Sequence, residues 1–265
     1  MTKVITCLSG KGGVGKTTSA INLGLALHQF GQNTAVLDGN FTTPNVGIYL
    51  GVHAVPNTIH HVLSDNKKNL NDAVYSHKSG LKVIPGDLNV NKLSAVKPEK
   101  LKNALSDIEG LMDYLIIDGS AGLGRETHAS LDAADQILII TNPEMPAITD
   151  ALKTIQIANK MRKQILGVVV AKHNDSKDNV NLKQIEEILE YPVIGVIPHD
   201  DKMKNCVAKG SPIVQRFPKS EASMAYKKLA AELLGKKLED FDLSPPTKKK
   251  DNLIRDLLRI FSFKT

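Results

Sequence analysis

Gly10-Lys11-Gly12-Gly13-Val14-Gly15-Lys16-Thr17-Thr18 decides how this 265-residue chain is read. It lies between an apolar run, Val4 to Leu8, and a helical pattern through Ile21, Leu23, Leu25, Ala26 and Leu27. Strand, glycine loop, helix is the context in which Gly10, Gly15, Lys16 and Thr17, matching G-x-x-x-x-G-K-[ST], denote a phosphate-binding loop. The glycines let the backbone curl with its N–H groups inward, and the helix N-terminus adds partial positive charge. Lys16 then reaches the β- and γ-phosphates of a nucleoside triphosphate, and the Thr17 hydroxyl ligates Mg²⁺. The same letters also read G-x-G-x-x-G through Gly10, Gly12 and Gly15, a dinucleotide fingerprint with Asp38 ending the next strand. A dinucleotide turn has no use for Lys16-Thr17-Thr18, whereas a triphosphate needs them, so the triphosphate reading leads. Lys11 is required by neither pattern.

Outward from the loop, strand-like apolar runs occur at Val4–Leu8, Thr34–Leu37, Leu81–Ile84, Tyr114–Ile117, Gln136–Ile140, Leu166–Val170 and Val193–Ile197. Several are apolar on both faces, as strands buried in a parallel sheet are. Helical patterns such as Ile148–Met161 and Leu182–Leu189 lie between them. The alternation predicts an α/β fold, a doubly wound and mostly parallel sheet with helices on both faces. Ligands in such sheets bind beyond the carboxyl ends of the strands. Two of those ends carry aspartate. Asp38 precedes Gly39-Asn40-Phe41-Thr42-Thr43-Pro44-Asn45, and its carboxylate suits Mg²⁺ held through water, with a turn cap as the plainer alternative. Asp118 closes Tyr114-Leu115-Ile116-Ile117, a Walker B pattern acting on Mg²⁺. Three glycines between Gly119 and Gly124 predict a flexible loop able to respond to a γ-phosphate, ahead of a helix starting near Arg125. His53, His60, His61 and His77 are scattered and read as polar residues of a helix surface rather than a metal site.

Composition narrows the class. A hydrophobic content of 42% with 23% charged residues suits a soluble globular chain, and no apolar run approaches the roughly 20 residues that span a bilayer. The N-terminus enters a strand directly, without a signal-peptide pattern, so the expected location is the cytoplasm. Cys7 and Cys206 stand alone and make neither a disulfide framework nor a C-x-x-C metal site. The net charge is +6, but from Ser244 onward six Lys and Arg face Asp251 and Asp256, a net of +4. Only +2 is left for the first 243 residues, so no nucleic-acid partner is expected of the body.

These motifs together resemble the deviant Walker A ATPases of the MinD/ParA class, and within it archaeal MinD-like proteins. The residues that carry the resemblance are Lys11 to Thr18, Asp38 to Asn45 with Leu50-Gly51, Ala121 to Glu126, Thr141-Asn142-Pro143-Glu144, Thr149 to Lys153, Val196-Ile197-Pro198 and Gly210-Ser211-Pro212. The resemblance implies an ATP- and Mg²⁺-dependent switch. Gly10 to Thr18 and Pro198 would form the nucleotide site, Thr17, Asp38 and Asp118 the metal environment, and Lys11, Lys16 and Asn40 the catalytic set. It also implies a homodimer sandwiching two ATP molecules, with Lys11 of each subunit contacting the phosphates held by the other, like an arginine finger supplied in trans. Three positions depart from the family pattern. Asn40 stands where members often carry Asp; it can orient water but cannot take its proton, so slow hydrolysis is expected. Ser120 replaces a proline. Ala171-Lys172 replaces an Asn-Arg pair whose Asn reads the adenine edge. A ParA-like ATPase on DNA is the alternative function, and an iron–sulfur carrier is disfavoured by the isolated cysteines.

The predicted organisation is an ATPase domain over 1–234, a linker over 235–250 containing Ser244-Pro245-Pro246, and an amphipathic helix over 251–265. Leu253, Ile254, Leu257, Leu258 and Phe261 form one apolar stripe beside Lys248-Lys249-Lys250. Too short to span, it reads as an anchor on an anionic membrane surface, and it places the chain peripherally on the inner face of the cell membrane. Two such anchors in a dimer bind far better than one, which couples ATP to the membrane. An unidentified protein cargo or activator is the remaining expected partner.

Overall fold

The computed structural model describes residues 1–241 except 53, 66, 175 and 177. His53, most of the expected linker and the whole amphipathic segment 251–265 lie outside the described residues. Eight strands form one sheet: β1 Lys3–Ser9, β2 Thr34–Gly39, β3 Tyr75–Ser76, β4 Lys82–Ile84, β5 Tyr114–Ala121, β6 Gln136–Thr141, β7 Gln164–His173 and β8 Val193–Pro198, in the order β3-β4-β2-β5-β1-β6-β7-β8. Every pairing is parallel except β3 with β4. The helices are α1 Lys16–Gln29, α2 Val46–Leu50, α3 Ile59–Ser64, α4 Leu101–Ala104, α5 Arg125–Ala133, α6 Met145–Lys160, α7 Leu182–Leu189, α8 Lys202–Ala208, α9 Ile213–Arg216 and α10 Glu221–Leu233. All seven strand-like runs are strands, as a doubly wound sheet requires; β3, two residues long, carries too little pattern to be seen in sequence.

The strands are buried on both faces because successive side chains alternate between two helical layers. In β1, Ile5 and Cys7 join a core with α1, α9 and α10, through Leu25, Ile213, Tyr226 and Leu229. Leu8 points the other way and packs with Ile148 of α6 and Ile185 of α7. Val4 and Leu37 meet Ile59 of α3 and Leu101 of α4. Parallel strands put all their carboxyl ends on one edge, so Gly10, Asp38, Asp118, Asn142, Lys172 and Pro198 share it.

Three expectations need correction. The glycine-rich segment after Asp118 is not loop throughout: β5 continues to Ala121, and a Cβ on Gly119 would lie 2.5 Å from Leu8 Cδ2, so that glycine serves sheet packing. His60 is not on a helix surface; it is fully buried. The segment expected to be linker from residue 235 touches the body at two points, Leu238 and Phe241, while its other described residues are exposed. Leu238 and Phe241 pack on the α1 core, and the Phe241 ring stacks on Phe30 with centroids 3.7 Å apart.

Candidate functional site

The glycine loop owes its shape to two different demands. A Cβ on Gly10 would lie 2.1 Å from the carbonyl oxygen of Asp150, so α6 crosses directly against the loop. Gly13 and Gly15, at φ +80° and +105°, take left-handed conformations that cost a side-chain-bearing residue about 1 kcal/mol or more. At Gly12 and Gly13 a Cβ would meet nothing within 4 Å, which leaves a cradle open above the backbone. α1 begins at Lys16 with no side-chain cap, so its first N–H groups are left for an anion.

Beneath this cradle sit the charged groups. Asp38 and Asp118 are neighbours in the β2–β5 register, and both are fully buried. Lys16 Nζ donates to Asp118 Oδ1 at 2.7 Å, and Thr17 Oγ1 donates to Oδ2 at 2.5 Å. Asp38 accepts backbone N–H bonds from Asn40, Asn45 and Val46 at 3.2, 2.8 and 2.9 Å. Burial, with the Asp118 charge next, outweighs those bonds and pushes the Asp38 carboxyl up to about 8. Without a cation Asp38 therefore keeps its proton near neutral pH, and a divalent cation beside the two carboxyl groups would take the place of that proton. One or two carboxylates, a hydroxyl and phosphate oxygens are an ordinary Mg²⁺ environment, so Thr17, Asp38 and Asp118 fit that ion. The Asn142 side-chain oxygen, buried without a partner, lines the hollow beside Lys11, Gly12 and Gly13 and fits a ligand that donates a hydrogen bond there.

Asn40 stands at the mouth, but its carboxamide closes its own turn. Oδ1 accepts from Thr43 N at 3.2 Å, and Nδ2 donates to Thr43 Oγ1 at 2.9 Å. Two groups that sequence reasoning gave no role hold this turn. Glu126, at the start of α5, accepts from Thr42 N and Oγ1 at 2.9 and 2.6 Å, tying the turn to the segment after Asp118. His60 accepts from Asp87 N at Nδ1, which leaves Nε2–H to donate to Phe41 O at 2.8 Å. Burial lowers the His60 pKa, which keeps the ring neutral for this bridge. Nothing in the spacing of His60 reveals it, because its partners are a backbone carbonyl and a backbone amide from distant segments.

Lys11 is exposed at the rim, 43% accessible, and its Nζ contacts Glu144 at 3.3 Å. Its neighbour across the hollow is a second lysine, which the sequence marked only as part of the Ala171-Lys172 departure. Lys172, in a left-handed conformation at φ +57°, donates from Nζ to Gly13 O at 2.5 Å, bracing the loop. Next to it lies a pocket of about 240 Å³ lined by Thr18, Tyr49, Ala171, Pro198, Met203 and Val207. Its wall is mostly apolar, with Lys172, His199, Asp200, Asp201 and Lys204 also on it, and it flanks the N-terminus of α1 through Gly15 and Thr18. Cys7, in β1 beside Asp118, is buried, and burial pushes its thiol up strongly. Cys206 lies on α8, and no group of three or more His, Cys, Asp or Glu side chains suited to a metal occurs among the described residues.

Residues 1–234 match the family model described as ParA, NUBPL iron-transfer P-loop NTPase. An uncharacterised ATP-binding protein of Methanocaldococcus jannaschii is 38% identical over 98% of this chain and 96% of its own length. The septum site-determining protein MinD of Pyrococcus horikoshii, solved with Mg-ADP, is 31% identical and superposes with a TM-score of 0.84 over 88% of this chain and 96% of that one. The cell division ATPase MinD of Pyrococcus furiosus is likewise 31% identical, with a TM-score of 0.85 over 89% and 99% of the two chains. The chain belongs to the ParA family of P-loop NTPases, and within that family its sequence and fold are MinD-like.

Proposed function

We propose that this chain is an ATP-driven molecular switch that dimerises when it holds ATP and Mg²⁺, attaches peripherally to an anionic membrane and positions other protein complexes, such as those of cell division. The observation that carries the reading is the buried cluster of Lys16, Thr17, Asp38 and Asp118 under an open glycine cradle. The loop N–H groups and the α1 N-terminus bind the phosphates, and Lys16 exchanges Asp118 for the β- and γ-phosphates. Thr17, with Asp38 and Asp118 behind it, would hold Mg²⁺, which would supply neutralisation of charge on the transferred phosphoryl group. Asn40 leaves Thr43 to orient the attacking water, and because an amide takes no proton, turnover is slow. The base lies against Ala171 and Pro198.

Lys11 has a separate role in this proposal. It is exposed and reaches only a half-exposed carboxylate, a contact worth about 0–1 kcal/mol, so it is released cheaply. It then meets the phosphates held by a second subunit. Two C-terminal segments brought together in that dimer raise membrane avidity. The likeness to proteins described as septum site-determining and as a cell division ATPase supports the positioning role.

Sedimentation velocity with ATP and Mg²⁺, with and without vesicles, tests the proposal. The wild type should dimerise and bind vesicles only with ATP. Lys11→Ala should still bind nucleotide as a monomer while losing both responses. ATP-dependent dimers formed equally well by Lys11→Ala would refute the shared site.

A further inference from the structure

The turn that carries Asn40 is moored on two sides. On one side Phe41 is buried among Ile59 and Val62 of α3, and His60 holds its carbonyl oxygen. The tip of the turn is different, because Thr42 and Thr43 are both exposed. Outside the turn itself, Glu126 is the one side chain hydrogen-bonded to either of them among the described residues. Its two bonds, from Thr42 N at 2.9 Å and Thr42 Oγ1 at 2.6 Å, enter the same oxygen, Oε1. Two donors from one residue on one acceptor fix where Thr42 sits.

Glu126 is itself held in place. It lies in the first turn of α5, where a carboxylate is favoured by the helix dipole. The next residue, Thr127, is buried, and its hydroxyl donates to Gly122 O at 3.0 Å and lies 3.0 Å from Ser120 Oγ. Gly122 N in turn donates to Ser9 O at 3.2 Å, immediately before the glycine loop. Glu126 therefore ties the tip of the Asn40 turn to β5 beyond Asp118 and to the root of the phosphate loop. Asn40, Thr42 and Thr43 form one wall of a cavity of about 560 Å³, with Ser120, Ala121 and Glu126 on the other, and the Thr42–Glu126 contact joins the two walls.

We propose that Glu126 is a positioning residue for ATP hydrolysis, setting the place of the Asn40 turn through Thr42. The inference rests on the reading of Asn40 as the group that orients the attacking water. Asn40 must release Thr43 to do so, and while Thr42 stays anchored only the Asn40 side chain has to turn. Without Glu126 the exposed tip is free to follow, and Asn40 loses its aim. A misplacement of about 1 Å costs up to about 100-fold in rate. A carboxylate here invites a second reading, as the base that takes the proton of water. Positioning is favoured because the two lone pairs of Oε1 are already occupied by Thr42.

The test uses the full chain. Single-turnover hydrolysis is followed at saturating ATP and Mg²⁺, and nucleotide affinity is measured by calorimetry with a non-hydrolysable ATP analogue. E126A should lower the rate constant by about tenfold or more while affinity stays within about twofold of the wild type. E126Q, whose amide oxygen can accept both Thr42 bonds without a charge, should bring the rate back to within about threefold of the wild type. Adding T42A to E126A should slow hydrolysis less than T42A does alone, because the two residues act as one contact. E126A hydrolysing at the wild-type rate would overturn the proposal, as would full additivity of E126A and T42A. E126Q as slow as E126A would make Glu126 the base instead and overturn positioning. A loss of affinity equal to the loss of rate would make Glu126 part of the nucleotide site and overturn it too. If the wild type hydrolyses no ATP, the hydrolysis reading falls and this inference with it.

Discussion

Two glycines of the loop, two residues apart, should respond to the same substitution in opposite ways. In Gly10→Ala the new methyl carbon would lie 2.1 Å from Asp150 O, 2.2 Å from Asp150 C and 2.6 Å from its Cβ. Ordinary contact starts near 3.5 Å, so α6 must retreat by about 1 Å or more. That helix is pinned by Ile148, Ala151 and Ile155 in the core, so the retreat opens packing elsewhere. Overpacking of this kind costs about 1–3 kcal/mol, and the smaller entropy of the unfolded alanine chain offsets only about 0.4–1 kcal/mol. At about 2–4 °C per kcal/mol for a domain of this size, Tm without nucleotide should fall by roughly 5 °C. Gly12→Ala meets no atom within 4 Å and needs no left-handed backbone, so its Tm without nucleotide should hold or rise slightly. Its methyl group instead stands in the open cradle, so the stabilisation that ATP and Mg²⁺ confer on the wild type should shrink or vanish. Differential scanning calorimetry with and without the ligands reads both effects. A Gly10→Ala protein with the wild-type Tm, or a Gly12→Ala protein melting about 5 °C lower in the absence of ligand, would refute this account of the loop.

Other outcomes follow from the same geometry. Lys16→Ala leaves Asp118 buried without its ammonium, and urea unfolding without nucleotide should show a loss of about 3 kcal/mol. The Asp38 carboxyl has a folded pKa of about 8 against 3.8 unfolded, so between those values the folded protein holds the extra proton. Stability without ligand should therefore fall as pH rises from about 5 to 8, and Asp38→Asn should flatten that slope in urea titrations. Asn40→Asp keeps an acceptor for Thr43 N–H and adds a proton acceptor for water, so single-turnover ATP hydrolysis should speed up on the order of tenfold, short of a full general-base effect. Ala171→Asn restores an amide at the base pocket, and competition binding should show the ratio of ATP to GTP affinity rising by about tenfold.

The elements that could be foreseen are those whose cause is local. β1, the glycine loop and α1 follow from an apolar run, a string of glycines and a helical period within 27 residues of one another. Asp38 and Asp118 were recognisable as strand-end carboxylates. Their adjacency, which suits Mg²⁺, came only from the register of β2 on β5. His60 was misplaced because a buried histidine held by Phe41 O and Asp87 N looks in sequence like any polar residue of a short helix. Lys172 was noticed only as a departure from the family pattern, and its bracing of the loop was not foreseen because its partner, Gly13 O, is 159 residues away.

By itself the sequence determined the kind of ligand and the kind of fold, since phosphate binding needs glycines, a lysine and a hydroxyl at fixed spacing, and a doubly wound sheet needs alternating apolar runs. Tertiary structure alone decided which glycine is there for packing and which for the ligand. Gly10 and Gly12 are the same letter in the same motif, and they differ only in that α6 crosses one of them, a contact made by residues 140 positions further along the chain.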